Sequence, residues 1–84
     1  MKKHIAENNA VVYVHEYKGY TITFTTKEDK FTALLIMKDD NYVLSGDIHD
    51  EKNPHGLPNT THYRNKLKNE VEKLLDESFF NSEE

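Results

Sequence analysis

The sequence has no cysteine and no tryptophan, and only three glycines and two prolines in 84 residues. Without cysteine there is no disulfide framework, no thiolate zinc centre and no cysteine nucleophile. A small stapled secreted domain is thereby disfavoured, and the cytoplasm is the expected compartment. Three glycines are too few for a phosphate cradle, and neither a G-x-S-x-G elbow nor a Ser/His/Asp arrangement appears. Long apolar runs are missing too, and nothing approaches the roughly 18 residues of a membrane span. The start, Met1-Lys2-Lys3-His4-Ile5-Ala6-Glu7, has the lysines of a signal peptide without its apolar segment. A positive balance is also lacking: eleven Lys or Arg against fifteen Asp or Glu give a formal charge of -4. Both halves of the chain lean acidic, which argues against the basic footprint of a nucleic-acid binder and against adsorption to anionic lipid.

What remains is 36% hydrophobic and 31% charged, with a mean hydropathy of -0.86. A chain of this length buries about 60 to 65% of the surface its unfolded form exposes, so one economical core is expected and two are not. Ten lysines to one arginine, with eight asparagines, suggest an AT-rich coding sequence from a low-GC bacterium or a mobile element.

Residues 1–9 are polar and without period, and are expected to form a flexible tail. From Ala10 to Ile48 the chain alternates between apolar and polar residues. Turn signals cut it into four stretches: Ala10 to Tyr17, Tyr20 to Thr26, Phe31 to Lys38 and Asn41 to Ile48. In Tyr20-Thr21-Ile22-Thr23-Phe24-Thr25-Thr26 large apolar residues alternate with threonines, the pattern of a half-buried strand. Lys18-Gly19 and Asp39-Asp40 read as two-residue hairpin loops, and Lys27 to Lys30 as a four-residue loop. That register opposes Tyr17 to Tyr20, Thr26 to Phe31 and Lys38 to Asn41. It places Tyr13, His15, Tyr17, Tyr20, Ile22, Phe24, Phe31, Ala33, Leu35 and Met37 on one face, and Val12, Val14, Thr23, Leu34, Ile36 and Val43 on the other.

The segment His49 to Thr60 holds both prolines and reads as a loop. Beyond it Tyr63, Leu67, Val71, Leu74, Leu75 and Phe79 form the apolar stripe of an amphipathic helix over about 61 to 79, with Thr60 or Thr61 as N-cap. The helix is expected to cover the first sheet face, approaching closely over Ala33 and Gly46. The expected fold is therefore α+β: a four-stranded antiparallel meander, order 1-2-3-4, with one C-terminal helix packed on one face, forming a single domain over 10–80. Residues 81–84 are expected to be disordered.

One helix leaves the second sheet face uncovered, and the strand edges are open. The expected function is a small non-enzymatic protein-interaction module, an accessory or modulator protein, that contacts a second copy of itself or another protein. Its contact residues would be Val12, Val14, Thr23, Leu34, Ile36 and Val43. No cofactor is expected. One alternative is a metal-binding loop using His49, Asp50, His55 and His62, although their H-x5-H-x6-H spacing matches no compact metal motif. Another is a sheet-based nucleic-acid binder. His15, on the helix-facing side, is read as a structural histidine hydrogen-bonded to a tyrosine hydroxyl.

Overall fold

The computed structural model describes residues 1–80; the expected disorder of 81–84 lies outside the described residues. Five long strands follow one another in space as in sequence, every neighbour antiparallel: β1 (Lys2–Ile5), β2 (Val11–Tyr17), β3 (Tyr20–Lys27), β4 (Lys30–Lys38) and β5 (Asn41–Asp47). A two-residue strand, β6 (Leu57–Pro58), pairs with the start of β4. Helix α1 (Thr61–Leu75) follows and passes into a π-helical turn over Asp76–Phe80. The class is the expected α+β, but the antiparallel sheet has five to six strands where four were expected.

The extra long strand comes from the segment expected to be a tail. Lys2 to Ile5 pair with Val14 to Val11, and all four residues are exposed. A strand held by main-chain bonds on an edge, with no buried face, leaves no alternation to read. Its hairpin is closed by Ala6 N–H donating to Ala10 (2.8 Å) and Asn9 N–H donating to Ala6 (2.9 Å), with Asn9 at φ 66°. Asn8 Oδ1 accepts from Ala10 N–H. The other three hairpins all use two-residue loops with both residues at positive φ: Lys18-Gly19, Glu28-Asp29 and Asp39-Asp40. Such loops match the right-handed twist of the flanking strands. The second is tighter than the four-residue loop expected, because Lys27 pairs directly with Lys30.

The main correction lies in β4. Thr26 opposes Phe31 as expected, but the register shifts between Thr25 and Thr26, so that Thr25 opposes Ala33, Phe24 opposes Leu34 and Ile22 opposes Ile36. One extra residue in β4 reverses every side chain beyond it. Leu34 and Ile36 therefore face the helix with Ile22 and Phe24, and Ala33, Leu35 and Met37 face away. Phe31 and Ile36, an odd number of residues apart, are both fully buried, which an unbroken strand does not allow. A second shift between Ile36 and Met37 sets Met37 opposite Tyr42 and Ile36 opposite Leu44. It leaves Val43 half-buried against the core. Gly46 has open space where a Cβ would lie, so the expected close approach of the helix there is not made.

Eleven residues form the core: Tyr13, Tyr20, Ile22, Phe24, Phe31, Ile36, Ile48 and Leu57 from the sheet side, and Leu67, Val71 and Leu75 from α1. The helix stripe is thus narrower than predicted; Tyr63 is half-buried and Leu74 is 40% exposed. Thr60 caps the helix, its side chain accepting from Tyr63 N–H.

Polar clamps pin the helix at both ends. At its start, Arg64 donates to Asn59 Oδ1 (2.7 Å), and Asn59 Nδ2 donates to Tyr13 Oη and to Asp29 Oδ1. At its end, His15 Nε2 lies 2.7 Å from Glu72 Oε2, while Tyr17 Oη and Lys18 Nζ both donate to Asp76. The β3–β4 turn and the β2–β3 turn are each tied to opposite ends of α1. The helix therefore lies along one sheet face and leaves the other bare.

Candidate functional site

The bare face can be assembled row by row from the strand register. One row runs Lys2, Val14, Thr23, Leu35, Ser45 from β1 to β5; the next runs His4, Val12, Thr25, Ala33, Asp47. A third runs Glu16, Thr21, Met37, Tyr42. Two apolar stripes, Val12 and Val14 on β2 and Ala33, Leu35 and Met37 on β4, thus flank a column of threonines on β3. Leu35 is 37% exposed and Tyr42 63% exposed, and the Tyr42 hydroxyl lies 3.1 Å from Ser45 Oγ. The threonines exist for a structural reason, as β-branched residues that tolerate water on a pleated surface. Their methyl groups also continue the apolar surface between the stripes.

Of the six predicted contact residues, Val12, Val14 and Thr23 are on this face. Leu34, Ile36 and Val43 are not: Ile36 is fully buried, and Leu34 and Val43 pack against the core. Sequence reasoning missed Ala33, Leu35, Met37 and Tyr42. The run Ala33-Leu34-Leu35-Ile36-Met37 is apolar at every position, so its alternation identifies no inner face. Size gives no signal either, since Leu34, Leu35 and Ile36 are isomeric side chains; only the packed structure shows that a bulge buries both Phe31 and Ile36.

The sheet edges are less inviting than its face. β1 presents Lys2 and Lys3, and β5 carries its irregularity at Val43; charged residues and bulges both discourage strand addition.

The metal candidates are not brought together. Among the described residues no group of three or more His, Asp or Glu side chains is placed to hold a metal ion. Asp50 is engaged in its own turn, where Oδ1 accepts from Lys52 N–H, Asn53 N–H and Asn53 Nδ2. Burial raises its carboxyl pKa, but these hydrogen bonds and the Lys66 charge outweigh that and hold it below the usual range. His55 lines a surface depression with Lys27, Glu28, Lys30 and Thr32. His62 stands edge-on to Tyr63. His15 has a hydrogen-bond partner, as expected, but that partner is the Glu72 carboxylate of the helix and not a tyrosine hydroxyl.

The strongest local electrostatics serve the helix clamp. The Asp76 carboxyl is held below its ordinary range by hydrogen bonds from Lys18 and then Tyr17, against the opposing effect of burial. Tyr17 and Lys18 are raised in turn, each chiefly by its hydrogen bond to Asp76. A carboxyl that is more acidic when folded stabilises the fold above its unfolded-state pKa, and this contribution fades as pH falls through the folded value. The raised Tyr17 and Lys18 contribute below their unfolded values and lose that contribution as pH rises through the folded ones. Melting temperature should therefore fall below about pH 4, and Asp76→Asn should lower it at neutral pH and flatten that acid limb. An unchanged acid limb in thermal melts from pH 2 to 7 would contradict the clamp.

No helix among the described residues is long and apolar enough to cross a membrane. Compared with protein-family models, with curated proteins and with solved structures, the chain finds no match.

Proposed function

We propose that the chain is a small non-enzymatic protein-interaction module whose contact surface is the uncovered sheet face, built from Val12, Val14, Thr23, Ala33, Leu35, Met37 and Tyr42. The observation that carries this reading is the pair of apolar stripes on β2 and β4, turned to water on the side of the sheet opposite α1. A sheet whose second face faces only solvent needs no such stripes; threonine, lysine and glutamate on β2 and β4 would fold as well. Base recognition is served less well. Tyr42 is the only tyrosine or phenylalanine that the register puts on this face among the described residues, and it sits on the last strand instead of the centre.

The test is Leu35→Glu combined with Met37→Glu. Both positions point away from the core, so the variant should stay folded, with a melting temperature within a few degrees of the parent. It should lose self-association and any partner that co-purifies with the parent. Identical association and identical co-purifying partners for both proteins would refute the open-face reading.

A further inference from the structure

We infer that the occupant of the open face is a second copy of this chain, packed face to face about a two-fold axis that runs parallel to β3 over Thr23. The inference rests on the open-face reading and adds the partner and its geometry. The arrangement of the stripes is the first support. Rotation about an axis along β3 exchanges the β2 and β4 sides, so Val14 of one copy meets Leu35 of the other and Val12 meets Ala33. Thr23 meets its own counterpart at the axis. In these two rows apolar residues cover apolar residues, as an isologous interface requires; in the third, outer row Met37 of each copy lies over Glu16 of the other.

Charge is the second support, and it selects this axis over the alternative. On this face the β1 flank carries Lys2 and His4, with Lys3 on the helix side opposite Tyr13, and no acidic residue precedes Glu7. The β5 flank carries Asp39, Asp40 and Asp47, and there is no Lys or Arg from Asp39 to Glu51. An axis along β3 sets the basic flank of each copy over the acidic flank of the other, twice in one dimer, with His4 over Asp47 in the same row. An axis running across the strands over Thr23 would stack β1 on β1 and oppose Lys2 to its own counterpart, which costs affinity. One like-charge contact remains: Lys27, on β3 itself, approaches its counterpart near the axis.

Size is the third support. Four strands of seven to nine residues and the four-residue β1, spaced about 4.8 Å apart, present a face of roughly 450 Å², so a pair covers about 900 Å² in all, close to the lower bound for a specific interface and suited to a weak one. A reversible dimer that forms with rising concentration is the expected behaviour.

The absence of cysteine makes the geometry directly testable, because each introduced thiol is the only one in its chain. Packed sheets lie about 10 Å apart, beyond the reach of a disulfide but within that of a short bismaleimide. Thr23→Cys protein should link to itself. Val14→Cys and Leu35→Cys proteins should link to each other when mixed and much less when each is alone. Lys27→Gln should tighten the dimer several-fold by light scattering, since it removes the like-charge contact at the axis. The outcomes separate this inference from the reading beneath it. A single-chain mass at every concentration overturns the dimer, and the open face is then judged by the Leu35→Glu/Met37→Glu comparison of partners alone. A dimer that survives that double substitution overturns both. A dimer in which Val14→Cys links to itself, and not to Leu35→Cys, overturns the axis.

Discussion

Ile36→Ala is expected to destabilise the protein by about 2–5 kcal/mol, whereas Leu35→Ala, one residue earlier, should cost less than about 1 kcal/mol. Ile36 has no exposed surface and packs on the helix side with Ile22 and Phe24, while Leu35 is 37% exposed on the other face. A domain of this size has about 4–13 kcal/mol of stability in total, so the first substitution removes a large share of it. Urea denaturation of the two variants measures the difference. The contrast tests the β4 bulge itself: in a strand without the extra residue the order would be reversed, with Leu35 expensive and Ile36 cheap. Leu34→Glu with Ile36→Glu, both on the helix side, should for the same reason abolish folding and not merely block association.

The second large effect is expected at Gly56. Its φ of +125° lies outside the range of ordinary side chains, and a Cβ there would sit 2.7 Å from the Phe31 carbonyl oxygen and 3.2 Å from Lys30 Cβ. Gly56→Ala should cost about 1–3 kcal/mol from backbone strain alone, and more from the contact with a main-chain oxygen that cannot move aside. The clash falls on the residues of β4 that pair with β6, so the pairing of Phe31 with Leu57 should be released first. Leu57 is a core residue, and its loosening would open the end of the core beneath the β3–β4 turn. Gly46→Ala is the matched control: its added Cβ meets nothing within 4 Å. It should be neutral or stabilise by about 0.5 kcal/mol through reduced freedom of the unfolded chain. Thermal melts of the two variants, with amide exchange at Phe31 and neighbouring residues, distinguish the local effect from global unfolding. Equal effects from both substitutions would argue against the Gly56 geometry.

The two predictions bear on function because the same features expose the site. The bulge in β4 buries Leu34 and Ile36 and turns Ala33, Leu35 and Met37 outward, so it creates the outer stripe. The β6 pairing and the Asn59 clamp hold the loop and helix start against the β3–β4 turn, which keeps α1 on the inner face. A weaker attachment of either would let the helix shift over the sheet and disturb the flat face opposite.

What the sequence determined by itself was the local structure that short-range physics controls. Alternation in Val11 to Tyr17 and Tyr20 to Thr26 placed both strands and their inner faces, because one face of each gathers the large residues Val11, Tyr13 and Tyr17 or Tyr20, Ile22 and Phe24. Lys18-Gly19 and Asp39-Asp40 announced their turns, and the four-residue spacing of Leu67, Val71 and Leu75 announced the helix beneath its Thr60 cap. Tertiary structure alone decided the rest. Strand β1 is exposed along its whole length and owes its place to main-chain bonds with β2, which no side-chain pattern records. The inner face of Ala33 to Met37 was open because either set of its apolar residues could fill a core. The helix and Phe31 settled it by admitting one extra residue at the bulge. The outer stripe, and with it the candidate interface, is what remained once packing had chosen the other side.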